Sequence, residues 1–166
     1  RIQSLGIEPY ATKVSQTHKS DALSDLPTID WEDIQKDPKR EVALAGRLMT
    51  FREHGRLSFG NLQDEKGVIQ LCFLREFTTV SGLSSDDPKE HERFWKKLLD
   101  LGDFLGVRGD LFLTKHGQLT LLVKELHFLS KSLLPLPEKF HGLANTEQCY
   151  RERNLDLVSN AETKDR

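Results

Sequence analysis

The sequence has no apolar run near the roughly 18 residues that a membrane span requires. It has no secretory apolar core behind a basic start either. It has almost no excess of either charge. The 24 Lys+Arg stand against 26 Asp+Glu, a formal net charge of -2. That balance excludes a protein that grips nucleic acid by bulk positive charge alone, though local basic patches remain open. Cysteine is scarce. Cys72 and Cys149 lie far apart and show no zinc spacing. One bridge is possible in principle, and a reduced, cytoplasmic protein is the simpler expectation. The histidines, His18, His54, His91, His116, His127 and His141, fall at no ligand spacing. P-loop, GxSxG and HExxH motifs are all missing, so no catalytic residue is assigned.

What is there is a dense apolar middle between polar ends. Hydrophobic residues make up 37% and charged residues 30% of 166 residues. This fits one domain plus an appendage, a compact core carrying polar arms. The chain opens on Arg1 rather than Met, so it is expected to be a piece of something longer. Residues 1–39 read as an arm, punctuated by Gly6, Pro9, Pro27 and Pro38. Short helical turns are expected near Ser20–Leu26 and Ile29–Gln35, too short to stand without docking.

Residues 40–134 carry the core. Val42, Leu44 and Leu48 alternate with Ala43, Arg47 and Met49, the period of a strand. Glu53–Arg56 turns the chain into a second strand, Leu57–Gln63. Asp64–Gly67 turns it again, with Gly67 expected at positive φ. The third strand is Val68–Leu74, with Ile69, Leu71 and Phe73 as its core set. Asp86-Asp87-Pro88 then signals a helix start. Phe94, Leu98 and Leu101 recur at helical spacing, which predicts a helix over Pro88–Asp100 ending near Gly102. Glu90 and Glu92 are expected on its wet face. A fourth strand follows over Phe104–Leu113, a turn at Lys115-His116-Gly117, and a fifth strand over Gln118–Leu129. Three strands, a helix and two strands is the element order of an OB-fold, a mainly β, five-stranded Greek-key barrel. Residues 135–166 read as an extended connector, Pro135 and Pro137 within it, and a polar tail.

OB-folds bind oligonucleotides on the face of strands two and three and through the loops joining strands one-two and four-five. Leu57, Phe59, Asn61 and Gln63 share one face of strand two. Phe59 thus sits on a largely polar face. It is either a platform for base stacking or a filler of the barrel, and pattern alone leaves both open. Gln70 points away from the core set, and its amide could read a base edge. Arg52 and Arg56, assigned to the strand 1–2 loop, could meet phosphates or stack on bases. Gln118 flanks the strand 4–5 turn. A protein-binding OB module and an unspecific single-strand binder remain alternatives. Asp86-Asp87 is read as helix-start chemistry and not as a metal site.

Several runs are more specific. They are Ala43–Met49, Leu62-Gln63-Asp64, Leu101–Val107, Leu129–Leu143 with Leu-Pro-Leu-Pro-Glu-Lys-Phe-His-Gly-Leu, and Tyr150–Leu157. With Leu5–Tyr10, they resemble the N-terminal half of a class II lysyl-tRNA synthetase, across nearly the whole chain. Leu-Gln-Asp also occurs in the aspartyl and asparaginyl relatives; the Lys139–Leu143 run speaks for lysine. The resemblance implies that the barrel binds the anticodon loop of lysine tRNA. It matches Phe59 to the stacking aromatic, Arg52 to the arginine of the strand 1–2 loop, and Gln70 to the base-reading glutamine. It also implies that residues 135–166 lead into a catalytic domain that needs ATP and Mg2+, that the parent is a homodimer, and that this piece alone is inactive and monomeric. Two departures stand out. The family's Gly-Glu-Leu after strand four is Gly117-Gln118-Leu119 here, and its terminal Tyr-Leu-Asp-Leu is Asn154-Leu155-Asp156-Leu157.

Overall fold

The computed structural model describes residues 41–132 together with Ile7, residues 16–24, Leu26 and Thr28. The expected turn over Ile29–Gln35, the connector with Pro135 and Pro137, and the 135–166 tail with Asn154 lie outside the described residues.

Strand β1 (Val42–His54) buries Val42, Leu44 and Leu48 and turns Ala43, Ala45 and Arg47 outward. A bulge between Leu48 and Thr50 shifts the parity, so that beyond it Thr50 turns outward and Phe51 packs against the core. Gly55, at φ +62°, makes the tight turn into β2 (Leu57–Gln63), as a hairpin with glycine at its first central position requires. Strand β3 (Val68–Leu74) pairs with β2. A short strand, β4 (Thr79–Val80), was not legible in the sequence; it lies parallel to β6 at Glu125 and Leu126. Helix α1 (Pro88–Lys97) follows, then β5 (Phe104–Leu113) and β6 (Leu119–Ser130). The order β3-β2-β1-β5-β6 closes through a parallel pairing of β3 with β6. Five strands in a ring around an apolar centre, with a helix between the third and fourth, is the expected OB barrel.

Barrel closure needs sharp curvature, which bulges provide. At the bulge between Arg108 and Gly109, a Cβ on Gly109 would lie 1.8 Å from the Leu122 carbonyl oxygen. Only glycine fits that approach.

The expected core set is correct: Ile69, Leu71 and Phe73 are buried in the barrel. Helix α1 adds Phe94 and Trp95 to it, with the Trp95 ring 6.0 Å from Phe73 in a stacked arrangement. The helix starts as predicted, with the Asp87 carboxylate accepting from the Lys89 N–H at 2.9 Å. It ends three residues earlier than expected. Beyond Leu98 the Asp100 N–H is captured by the Asp103 carboxylate at 2.9 Å, and the Leu98 carbonyl accepts from Lys131 Nζ at 2.9 Å. These partners satisfy the helix end. Leu101 consequently sits in a turn, exposed.

Glu92 overturns its expected place. It is buried, gripped by Arg75 at 2.5 Å and Lys96 at 3.0 Å. Burial alone would raise its pKa, but the hydrogen bonds from Arg75 and Lys96 outweigh it and hold the carboxyl below the usual range. Lys96 also donates to the Gly55 carbonyl at 2.8 Å. One end of α1 is thereby tied to the β1–β2 turn.

Gly67 is a second correction, since it does not adopt positive φ. The β2–β3 turn is shaped instead by Asp64, whose Oδ1 accepts from the Lys66 N–H at 2.7 Å and the Gly67 N–H at 2.8 Å. Glycine suits 67 for another reason: a Cβ would lie 2.9 Å from Ser20 Oγ and push that hydroxyl from its place on Asp64. The arm's 3-10 turn, Ser20–Leu23, packs here. Ser20 donates to Asp64 through its N–H at 2.8 Å and its hydroxyl at 2.6 Å, Lys19 pairs with Glu65, and Leu23 is fully buried in the core.

Asp64 makes this docking pH-dependent. Burial pushes its pKa up, but the Ser20 hydroxyl, the Ser20 N–H and the Lys66 and Gly67 N–H groups together bring it below normal. The stabilisation is present above the unfolded-state value of about 3.9. It is lost as pH falls through the lower folded-state value. In melting curves, Asp64→Asn is expected to be less stable than the unaltered chain at neutral pH, with the gap closing as the medium drops well below about pH 3.9. A gap that persists unchanged in acid would assign the loss to something other than the carboxylate charge.

Candidate nucleic-acid interface

Strand register places the candidate residues in rungs across the outer face of the barrel. Arg52, Phe59, Cys72 and Leu122 follow one another from β1 through β2 and β3 to β6, and Asp110 of β5 completes the rung. The next rung is Thr50, Asn61, Gln70, Thr120 and Phe112. Because side chains alternate, all of these share the outer surface.

Phe59 points outward, which decides against a filler of the barrel interior, and is half-buried. Its surroundings differ from the expected polar face. Cys72, Leu122 and Phe112 form a buried apolar floor on the outside of the sheet, and Leu57, Phe59, Leu74 and Phe77 pack against it. Phe59 therefore does two jobs: it roofs Cys72 and leaves part of its ring at the surface. The His54 ring meets it edge-on, centroids 6.0 Å apart. Burial pushes the Cys72 thiol up to about 12, so it is a neutral packing group at physiological pH.

Gln70 is outward yet 9% exposed. Its Oε1 accepts from the Thr120 hydroxyl at 2.8 Å. Asn61 stands opposite it on β2. Arg52 lies within β1 rather than in the loop, directly across from Phe59 and exposed. The regular hairpin pairing continues to His54, which shortens the turn to Gly55 and Arg56. Arg56 occupies that turn, 3.6 Å from Glu76, and both side chains are exposed.

The two turns bracket the face. The β1–β2 turn lies at the Leu74 end of β3, since Leu57 pairs with Leu74. The β5–β6 turn lies at the Gln70 end, since Thr120 pairs with Gln70. Gln118 is exposed in that second turn, which Gly117 closes at φ +74°. The Gln118 carbonyl accepts from the Thr114 N–H at 3.0 Å. The register thus gathers Arg52, Phe59 and Gln70 on adjacent strands, with Arg56 and Gln118 at opposite ends.

Charge on the β5–β6 flank is internally matched. Lys124 Nζ lies 3.0 Å from the fully buried Asp110 carboxylate and 3.4 Å from Glu41. The Asp110 oxygens make no aligned hydrogen bond, so this contact is an ion pair and not a directed bond. Arg108 meets Glu41 at 2.7 Å. The face is therefore apolar and polar at its centre, with arginines on the β1–β2 side and no broad basic surface.

Sequence reasoning missed Thr120, Phe112, Leu122 and Phe77. The run Leu119–Val123 is almost uniformly apolar, so its two faces could not be separated by alternation. Only the β3–β6 pairing does so.

Comparison with known proteins agrees with this geometry. Residues 42–129 match the tRNA anti-codon family, described as an OB-fold nucleic acid binding domain. The chain is 42% identical over 169 residues to the lysine–tRNA ligase of Lactococcus lactis subsp. cremoris (strain MG1363), covering 99% of this chain and 31% of that protein. It is 42% identical over 164 residues to the lysine–tRNA ligase of Moorella thermoacetica, covering 99% and 30%. It is 41% identical over 165 residues to that of Dehalococcoides mccartyi (strain ATCC BAA-2266 / KCTC 15142 / 195), covering 99% and 31%. The chain spans about a third of the length of these relatives. A closed five-stranded barrel, an outward-facing aromatic and amide on adjacent strands, and a family match across its strands lead to one assignment: the chain belongs to the tRNA anti-codon family of OB-fold nucleic acid binding domains.

Proposed function

We propose that this barrel binds the anticodon loop of lysine tRNA. The observation that carries the reading is the rung arrangement, which sets Phe59 between Arg52 and the Gln70 strand on the outer face. Single-stranded RNA is recognised by splaying its bases, stacking them on aromatics and reading their edges with polar side chains. Phe59 offers the stacking surface. Gln70 offers an amide one rung away. Arg52 and Arg56 supply charge for the phosphates that flank a splayed base. Gln118 reaches the loop from the other end, with an amide that both donates and accepts.

The relatives' name suggests the larger context. The whole protein would activate lysine with ATP and Mg2+ and attach it to tRNA, as a cytoplasmic homodimer. This chain alone would bind tRNA without catalysing either step, as a monomer when isolated. Among the described residues no group of three His, Cys, Asp or Glu could hold a metal ion. No chemical step is assigned to this chain.

The test is a binding titration with two RNA stem-loops, one carrying UUU and one an unrelated anticodon. The UUU loop is expected to bind more tightly at physiological salt. Equal affinity would remove the specificity claim. A preference that vanishes steeply with added salt would point to unspecific strand binding through phosphates.

A further inference from the structure

We propose that Thr120 is a positioning residue for Gln70, holding its amide so that the NH2 group and not the carbonyl is offered to a base. The inference rests on the reading of this face as an anticodon site. Thr120 is fully buried on β6. Its hydroxyl has two acceptors within reach, Gln70 Oε1 at 2.8 Å and the Gln118 carbonyl at 3.2 Å. A hydroxyl carries one hydrogen. The Gln118 carbonyl is already served by the Thr114 N–H at 3.0 Å. That carbonyl could accept a second bond, so distance decides: the Thr120 hydrogen goes to the shorter contact, Gln70 Oε1. Among the described residues the Gln70 Nε2 has no hydrogen-bond partner, and its two hydrogens are left for a ligand on the outer face.

The chemical consequence is selection between pyrimidines. Uracil carries a carbonyl oxygen at C4, where cytosine carries an amino group. A fixed NH2 donates to the uracil oxygen and meets the cytosine amino group donor to donor. An amide free to turn over could satisfy either base, because its two ends are nearly the same shape. Thr120 removes that freedom without itself touching RNA.

The experiment uses the whole 166-residue chain and five stem-loops: UUU, three in which each uracil in turn is replaced by cytosine, and one with an unrelated anticodon. Thr120→Val removes the hydroxyl and nearly keeps the shape. Its preference for uracil is expected to fall by about three- to tenfold at one anticodon position, the worth of one hydrogen bond. Thr120→Ser, which restores the hydroxyl, is expected to recover it. In a Gln70→Leu background Thr120→Val should change nothing further, since the effect passes through the glutamine. If Thr120→Val does not fold, Thr120→Ala serves the same comparison. An unaltered chain that prefers uracil, with unchanged preference in the hydroxyl-free variant, overturns the proposal alone. So does a loss spread equally over all three positions that persists in the Gln70→Leu background. An unaltered chain that does not prefer the UUU loop to an unrelated loop overturns the anticodon reading and this proposal with it.

Discussion

Replacing Asp103 by alanine is expected to cost about 3 kcal/mol of stability, the low end for removing one partner of a buried charge pair. Asp103 is fully buried at the start of β5. Its carboxylate accepts from the Asp100 N–H at 2.9 Å, the Ser132 N–H at 2.8 Å and Lys131 Nζ at 2.8 Å. One side chain thus joins the turn after α1 to the end of β6. Alanine would leave the Asp100 and Ser132 N–H groups without these acceptors, which is costlier than never having built the bonds. The lower end of the range applies because Lys131 keeps Asp100 at 2.7 Å and remains partly exposed. Burial would lower the Lys131 pKa, but Asp100 and Asp103 together raise it. With both partners in place the ammonium is held in its charged form. Asp103→Asn should lose less, since it keeps one acceptor oxygen and the shape. The measurement is the urea midpoint at unchanged slope. A loss below about 1 kcal/mol, within reach of an ordinary substitution, would show that the surrounding backbone is satisfied by other means.

The barrel was legible because its strands carry their own period. Val42, Leu44 and Leu48, and then Ile69, Leu71 and Phe73, declare their inward faces without reference to anything distant. The turns were legible where backbone geometry demands a residue, as at Gly117. Gly67 shows the limit. Its glycine answers to Ser20, far away in sequence, and no local rule could say so. Glu92 fails for the same reason, because a helical carboxylate looks wet until Arg75 and Lys96 close over it. At the site, Gln70 could be placed by counting along one strand, whereas counting named the face-mates of Phe59 without deciding between the inside and the outside of the barrel. Thr120 and the apolar floor could not be placed, because they depend on which strand closes the ring.

Phe59→Ala is expected to weaken binding of the UUU stem-loop by about 1–3 kcal/mol, the range for loss of one base–aromatic stack. At about 1.4 kcal/mol per tenfold, the upper end exceeds a hundredfold. Phe59 also covers Cys72 and Leu122, so alanine costs some stability as well. That cost should stay below the roughly 3–5 kcal/mol of a fully buried Phe→Ala change, since the ring is only half-buried. The two roles separate by substitution. Leucine at 59 retains apolar cover but has no aromatic face, so Phe59→Leu should melt near the unaltered chain and still bind weakly. Tryptophan retains the face and should bind well. Cys72 reports on the roof independently. With its thiol pushed up to about 12 by burial, it should resist maleimide at neutral pH, as read by peptide mapping. It should become reactive in Phe59→Ala and much less so in Phe59→Leu. Full affinity in Phe59→Leu would mean that the side chain only roofs the sheet and that the base stacks elsewhere. Weak binding in Phe59→Leu, with Cys72 still protected, is the result that assigns the stack to this ring.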